Sequence, residues 1–395
     1  MTLTNKQYVY FILLFAPLLN FGAGIVVDLY APSLPEILKS LGTTETMVQA
    51  TIVSSIIGYA IGQLFFGILS DWKGRKFSLI SGMILFSLVS LFSFLVPNIE
   101  ILIVLRFIQG FATGSCQVTA RAIISDRLEG NTLSIAVIYL SVAFASGLIV
   151  GPYIGVIVQN YLNWRFNFLV YFSYSILVLL LALVYMEESL APSSVNLPKK
   201  TLNNIFFIIK NKEFTSSMIQ LGCCFFCFTL WNQVGPIVVS KILNKQPSYF
   251  ANIALLTGIS YLFGTLLNRF LIKKISLEKR VYIGSLFSII GVLLIGVSGK
   301  DFNIIYLILG LMFTTFAQGV AFPNVLSRAI SLFSNMAGLS ASLQGTGMLL
   351  IGFIGLSLVS LLNINNGYIL ALLYFSFVTI FIIVQLTLTK NSESI

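Results

Sequence analysis

Residues 166–186 read FNFLVYFSYSILVLLLALVYM, and residues 187–200, which follow, read EESLAPSSVNLPKK. The first stretch holds no charged residue and is long enough to cross a lipid bilayer as a helix, which takes roughly 20 apolar residues. The second is rich in proline, serine and lysine and marks an exposed linker. Outward from this pair, the same apolar signal recurs near 8–29, 47–69, 78–96, 101–124 and 132–159 on one side. On the other it recurs near 214–240, 251–272, 280–298, 303–326, 338–361 and 368–389. The expected architecture is an all-α membrane protein of twelve transmembrane helices in two six-helix bundles, 1–190 and 214–395, joined by a linker at 191–213. Within the linker region, LNNIFFIIKNK (202–212) suits an amphipathic helix lying in the membrane interface.

Composition agrees. Hydrophobic residues make up 57% of the chain and charged residues 9%, with a mean hydropathy of +0.96. A soluble domain carries about 25% charged residues to keep its surface wet. The first span also fits the pattern of a signal peptide, with Lys6 before an apolar run. It extends past the usual apolar core of such peptides and contains an acid, so a retained span is the expectation.

Lys and Arg set the orientation. With the N-terminus in the cytoplasm, seventeen of them fall on inner segments and five on outer ones, with Arg106 left inside a span. Both termini are then cytoplasmic. The formal net charge of +10 reflects this asymmetry, and its scatter over several loops excludes a nucleic-acid stripe. Cys116, Cys223, Cys224 and Cys227 all fall in spans and, with no histidine in the chain, read as apolar fillers, not metal ligands.

Polar residues inside hydrocarbon are costly and need a reason. Arg106, Gln109, Gly110, Thr113, Gln117 and Arg121 recur at helical spacing and share one face of the fourth span. Interhelical hydrogen bonding explains the amides. It explains a guanidinium in mid-span poorly, so this face is expected to border a cavity. Asn20, Gly24 and Asp28 share a face of the first span, and Asp28 is the only acid that falls within a span. Opposite charges kept from water tend to pair, so Asp28 and Arg106 are expected to face one cavity. Burial raises the pKa of such an acid and a neighbouring arginine lowers it, which suits a proton carrier; a static ion pair, or Asp28 at the outer interface, is the alternative. In the second half the polar stripe is Thr229, Asn232, Gln233 and Pro236 on the seventh span, with Gln318 and Gln344 on later spans, a set suited to a bulky, mostly apolar ligand. Trp231 lies beside the stripe and fits a lipid-facing position equally well.

Two further patterns concern packing and motion. SGLIVGPYIG (146–155) places Gly147, Gly151 and Gly155 at spacing four around Pro152. Such a helix packs closely, or bends at the proline and serves as a seam between moving bundles. GILSDWKGRK (67–76) and GTLLNRFLIKK (264–274) both place a glycine, a polar residue four later and a basic turn at corresponding points of the two halves. The second copy lacks the acid, so this is a faint trace of duplication. Two six-span halves are the layout of many secondary transporters.

At this point the motifs resemble the major facilitator superfamily, and within it the twelve-helix drug:proton antiporters of the Bcr/CflA type. VVDLYAPSLP (26–35) resembles that subgroup's acidic segment, with Asp28, Tyr30 and Pro32. The turn with Gly67, Asp71, Gly74 and Arg75 resembles the superfamily loop signature, and RFIQGFATG (106–114) its arginine motif. GLIVGPYIG (147–155) is similar to the antiporter motif, except that its usual final glycine is Val156. RAIISD (121–126) and NWRFNF (163–168) also resemble the subgroup. The second half matches in layout only.

The resemblance implies proton-driven efflux of small organic compounds or drugs across a bacterial inner membrane. Asp28 and Arg106 would form the proton-coupling pair. Asn20, Tyr30, Gln109, Thr113, Gln117, Trp231, Asn232, Gln233, Gln318 and Gln344 would meet the substrate. Asp71 would lie at the cytoplasmic start of the eleventh span near Asn335 to Gly338, and Arg75 would reach Asp126, latching the halves in the outward-open state. The implied partners are a small-molecule substrate, protons and the lipid bilayer, for a monomer with no cofactor and no metal. Export of a dedicated metabolite, such as a siderophore or amino-acid derivative, is the alternative within transport. Outside it stands a channel or a sensor. A lone acid is too little for an enzyme's acid–base chemistry, and no G-x-x-x-x-G-K loop for ATP is present.

Overall fold

A computed structural model describes residues 5–128, 130–188, 197–271, 274–333, 337–362 and 364–392. Among the described residues every regular element is a helix, and twelve helices are long and apolar enough to cross a membrane. The chain divides into two compact units, Met1–Asn204 and Ile205–Ile395.

The first unit holds α1 (Asn5–Asp28), the short α2 (Leu34–Ser40), α3 (Glu45–Lys73), α4 (Arg75–Phe94), α5 (Ile99–Arg127), α6 (Gly130–Tyr161) and α7 (Phe166–Tyr185). α8 (Leu197–Lys210) bridges the boundary, where the sequence places its amphipathic segment. The second unit continues with α9 (Lys212–Ile237), α10 (Pro247–Leu271), α11 (Leu277–Val297), α12 (Ile304–Ser331), α13 (Ala337–Ser360) and α14 (Gly367–Ser392).

The ends of these helices follow from local chemistry. α1 stops at Asp28; Pro32 then opens a single 3-10 turn and Pro35 opens α2. A proline lacks the N–H that would continue a helix but suits its first turn. Thr44, Asn98, Asn211 and Ser276 cap their helices, each side chain accepting from the main-chain N–H three residues on.

Within the first unit α1 packs on α6, α3 and α4 on α5, and α4 on α7. Within the second, α9 packs on α13, α10 and α11 on α12, and α11 on α14. The pairing repeats in the same order, so the duplication that the sequence traced through one turn extends through each six-helix unit. Leu14, Phe92, Leu180 and Leu372 are among many exposed apolar side chains; such faces need lipid.

Candidate functional site

Arg106 on α5 is fully buried, at 0% exposure. Its guanidinium donates to the Gln109 side-chain oxygen one turn along. Across the helix contact it donates to the Val26 main-chain carbonyl at 3.2 Å, and the Tyr171 hydroxyl donates to that same oxygen at 3.2 Å. Val26 lies in the last turn of α1, where carbonyls have no donor within the helix and the dipole is negative. The buried cation is therefore met by a helix C-terminus. The rings of Tyr30 and Tyr171 stand 4.8 and 5.9 Å from its central carbon, within cation–π reach. The Arg106 Nε atom has no hydrogen-bond partner among the described residues. Asp28 closes α1 in the same turn as Val26; its side chain, and so the expected pairing with Arg106, lies outside the described residues.

Arg106, Gly110 and Thr113 on α5, Val26 on α1, and Ser55 and Tyr59 on α3 line a small cavity inside the first unit. This contact is close because Gly110 has no side chain: a Cβ there would lie 1.9 Å from the Ser55 carbonyl oxygen. The stripe on α5 therefore divides. Gln109 faces away from the cavity, donating to Ser90 on α4 at 2.8 Å while it holds Arg106. Gln117 accepts from Gln63 on α3 at 2.6 Å, and Asn20 donates to the Leu140 carbonyl on α6 at 2.9 Å. Both act as interhelical ties. The Tyr30 hydroxyl accepts from Thr51 at 3.3 Å. Ser55, Tyr59 and Tyr171 were not singled out from the sequence; on helices full of aromatics and hydroxyls, no spacing marks them.

In the second unit Gln233 donates to Ser360 and to the Leu356 carbonyl, at 2.8 and 3.1 Å, tying α9 to α13. Trp231 is buried against Phe250, which excludes a lipid-facing position. Asn232, Gln318 and Gln344 are buried, and Gln318 borders a separate cavity with Cys223 and Cys227. The described residues contain no His/Cys/Asp/Glu group able to hold a metal ion.

The turn between α3 and α4 is built on Arg75, which pairs with Asp71 and, at 3.0 Å, with Asp126. Gly74 carries φ +99°, a conformation essentially reserved for glycine. The Glu188 carboxylate lies against it, accepting from the Arg75 and Lys76 main-chain N–H groups at 2.8 and 3.2 Å. Glu188 thus caps α4 from more than a hundred residues away, a role invisible in sequence. Gly67 is buried on α3. Gly147 presses on α1, where an added Cβ would lie 2.4 Å from the Phe21 oxygen, and Gly155 presses on the residue just after it, 2.0 Å from the Leu29 oxygen. Gly151 and Pro152 are buried between them on α6. Asn335, near the expected partner of Asp71, lies outside the described residues.

The second unit has its own version of the turn. Asn268 on α10 accepts from Arg280 at 3.2 Å and from Asn324 on α12 at 2.8 Å. Amides stand where the first unit has carboxylates, and the arginine comes from the next helix instead of the basic run at 269–274.

The sequence profile described as Major Facilitator Superfamily matches residues 18–356. An uncharacterised MFS-type transporter of Bacillus subtilis, YdgK, is 30% identical over 60% of this chain and 60% of its own length. A bicyclomycin resistance protein homolog of Haemophilus influenzae is 26% identical over 86% of each chain. Among solved structures, the xylose transporter XylE from E. coli in a partially occluded inward-open conformation superposes with a TM-score of 0.75 at 17% identity, covering 97% of this chain and 98% of that one.

Proposed function

Because this chain belongs to the major facilitator superfamily, and is thus a multi-pass membrane transporter and not an enzyme, we propose that it exports small organic compounds in exchange for protons. The observation that carries this reading is the fully buried Arg106, anchored to the end of α1 and bordering a cavity beside Thr113. Were the Asp28 carboxyl to share this cation, its protonation would respond to anything that draws the guanidinium away. Substrate entry and proton release would then compete for one charge. The name of the Haemophilus relative supports a drug-like substrate, bacterial relatives support an inner-membrane setting, and the distribution of Lys and Arg supports cytoplasmic termini. Arg75, Asp71 and Asp126 would set the conformational balance.

Proton release from the detergent-purified protein on addition of compounds, screened across a panel of antibiotics and lipophilic cations, tests this. Release with at least one compound, lost in Asp28→Asn, is the expected result. Transport of a compound with no proton movement in wild type would refute antiport.

A further inference from the structure

Asn167, Tyr171 and Tyr174 follow one another on α7 at spacings of four and three, and so share one face of the helix. Each donates to α1 or to the turn after it. The Tyr174 hydroxyl donates to the Leu18 carbonyl at 3.2 Å, the Tyr171 hydroxyl to the Val26 carbonyl at 3.2 Å, and the Asn167 amide to the Ser33 hydroxyl at 2.9 Å. Of these three acceptors, Val26 is the one shared with Arg106. We propose that Tyr171 is a positioning residue for transport: it keeps the Val26 carbonyl bonded when Arg106 is drawn away, and so sets how readily a substrate can draw it. The inference rests on the role given to Arg106 above.

A carbonyl oxygen has two lone pairs, so the Val26 oxygen accepts from both donors at once. It lies in the last turn of α1, where a carbonyl finds no donor within the helix. It is also shut off from solvent, since Val26 is buried. With Arg106 as its one donor, the movement of the guanidinium to a substrate would leave a buried acceptor unpaired. That penalty would oppose binding by about tenfold or more. A second donor removes it.

Tyr171 can fill that role because its own place does not depend on Arg106. It is buried, and its ring meets those of Phe86 and Phe168 edge-on, at 6.0 and 6.1 Å between centroids. The neighbouring donors Asn167 and Tyr174 hold the same face of α7 against the same stretch of chain. The cavity beside Arg106 is lined from α1, α3 and α5. Tyr171, on α7, therefore acts through Val26 and not by touching the substrate.

Two measurements on the full-length protein test this. The first needs no substrate. In a thermal-melt cycle, Tyr171→Phe should lower the melting temperature more in an Arg106→Leu background than in wild type, because there Val26 loses its last donor. Tyr174→Phe removes the same hydroxyl from the same face of α7 and should cost the same in both backgrounds. The second is uptake of radiolabelled bicyclomycin by reconstituted vesicles under an imposed pH gradient. Tyr171→Phe should raise KM about tenfold and leave kcat near that of wild type, whereas Tyr174→Phe should change neither. Equal melting losses for Tyr171→Phe in the two backgrounds overturn the proposal. So does an unchanged KM, or a fall in kcat alone, when the wild type transports. Absence of uptake by the wild type counts against the substrate reading alone, and the melt cycle still decides the role of Tyr171.

Discussion

Arg106 and Val26 meet at 3.2 Å, guanidinium to main-chain carbonyl, so the buried cation of α5 rests on the open end of α1. The contact joins the residue proposed to sense substrate to the turn that carries the proposed proton site. Lysine keeps the charge but loses the planar fork that reaches Val26 and Gln109 together. Arg106→Ala and Arg106→Lys should both reduce proton-driven flux in reconstituted vesicles. Loss of a buried charged hydrogen bond costs roughly 1.5–3 kcal/mol, enough for a reduction of about tenfold or more. Full flux with lysine would mean that Arg106 acts only as a point charge.

Asp28→Asn removes the only acid that the sequence places inside a span while preserving size and hydrogen-bonding capacity. Coupled flux should vanish, whereas expression, membrane insertion and the melting temperature stay near those of wild type. Flux equal to wild type under an imposed pH gradient would remove Asp28 from the coupling scheme.

The helices and their duplication were legible because hydrocarbon demands long apolar runs, and a run such as 166–186 has no other reading. The division of the α5 stripe was not. Periodicity places Gln109, Thr113 and Gln117 on one face, but which neighbour each meets depends on how closely α3 approaches, and Gly110 permits that approach. Glu188 was hidden for a related reason: its position beside Gly74 is set by where α7 ends, not by anything near residue 74. In the second unit the basic residues next to Asn268 in sequence suggest the matching turn, whereas it is Arg280 that reaches back from α11.

Glu188→Ala should destabilise the first unit by about 1–2 kcal/mol, the usual value of a helix cap. Gly74→Ala should cost more, for two separable reasons. The φ of +99° strains any side chain, and a Cβ would lie 2.2 Å from the Glu188 carboxylate. The double variant removes the overlap and keeps the strain. A thermal-melt cycle should therefore show it less destabilised than the sum of the single variants. Simple additivity would mean that the carboxylate moves aside freely.

Asn268→Asp would give the second unit the carboxylate of the first. The acid would accept from Arg280 and Asn324 as the amide does, with charge assistance set against desolvation. Melting at or above the wild-type temperature is expected. Asn268→Leu should lower it, because Arg280 and Asn324 lose their acceptor, a cost of roughly 1–3 kcal/mol. Equal losses in both variants would show that Arg280 gains nothing from the pairing.

Gly110 and Gly296 form a matched test of helix contact within one chain. Alanine is the better helix former by roughly 0.5–1 kcal/mol, so in an open helix Gly→Ala is stabilising. At Gly296 on α11 the nearest atom to an added Cβ is the Ala371 Cβ at 3.7 Å, ordinary van der Waals distance. Gly296→Ala should leave flux unchanged and raise the melting temperature slightly. At Gly110 the added Cβ would stand 1.9 Å from the Ser55 main-chain oxygen, 2.8 Å from its carbon and 3.0 Å from its Cα. None of these atoms can move without the helix that carries them. Gly110→Ala must therefore push α3 and α5 apart, opening the cavity wall beside Arg106 and Thr113. The measurements are melting temperature and proton-driven flux for both variants. Gly110→Ala should lower both, with Gly296→Ala as the control for the change in helix propensity. If Gly110→Ala were as benign as Gly296→Ala, α3 and α5 would not be held at the separation that positions Arg106, and the cavity would need another structural basis.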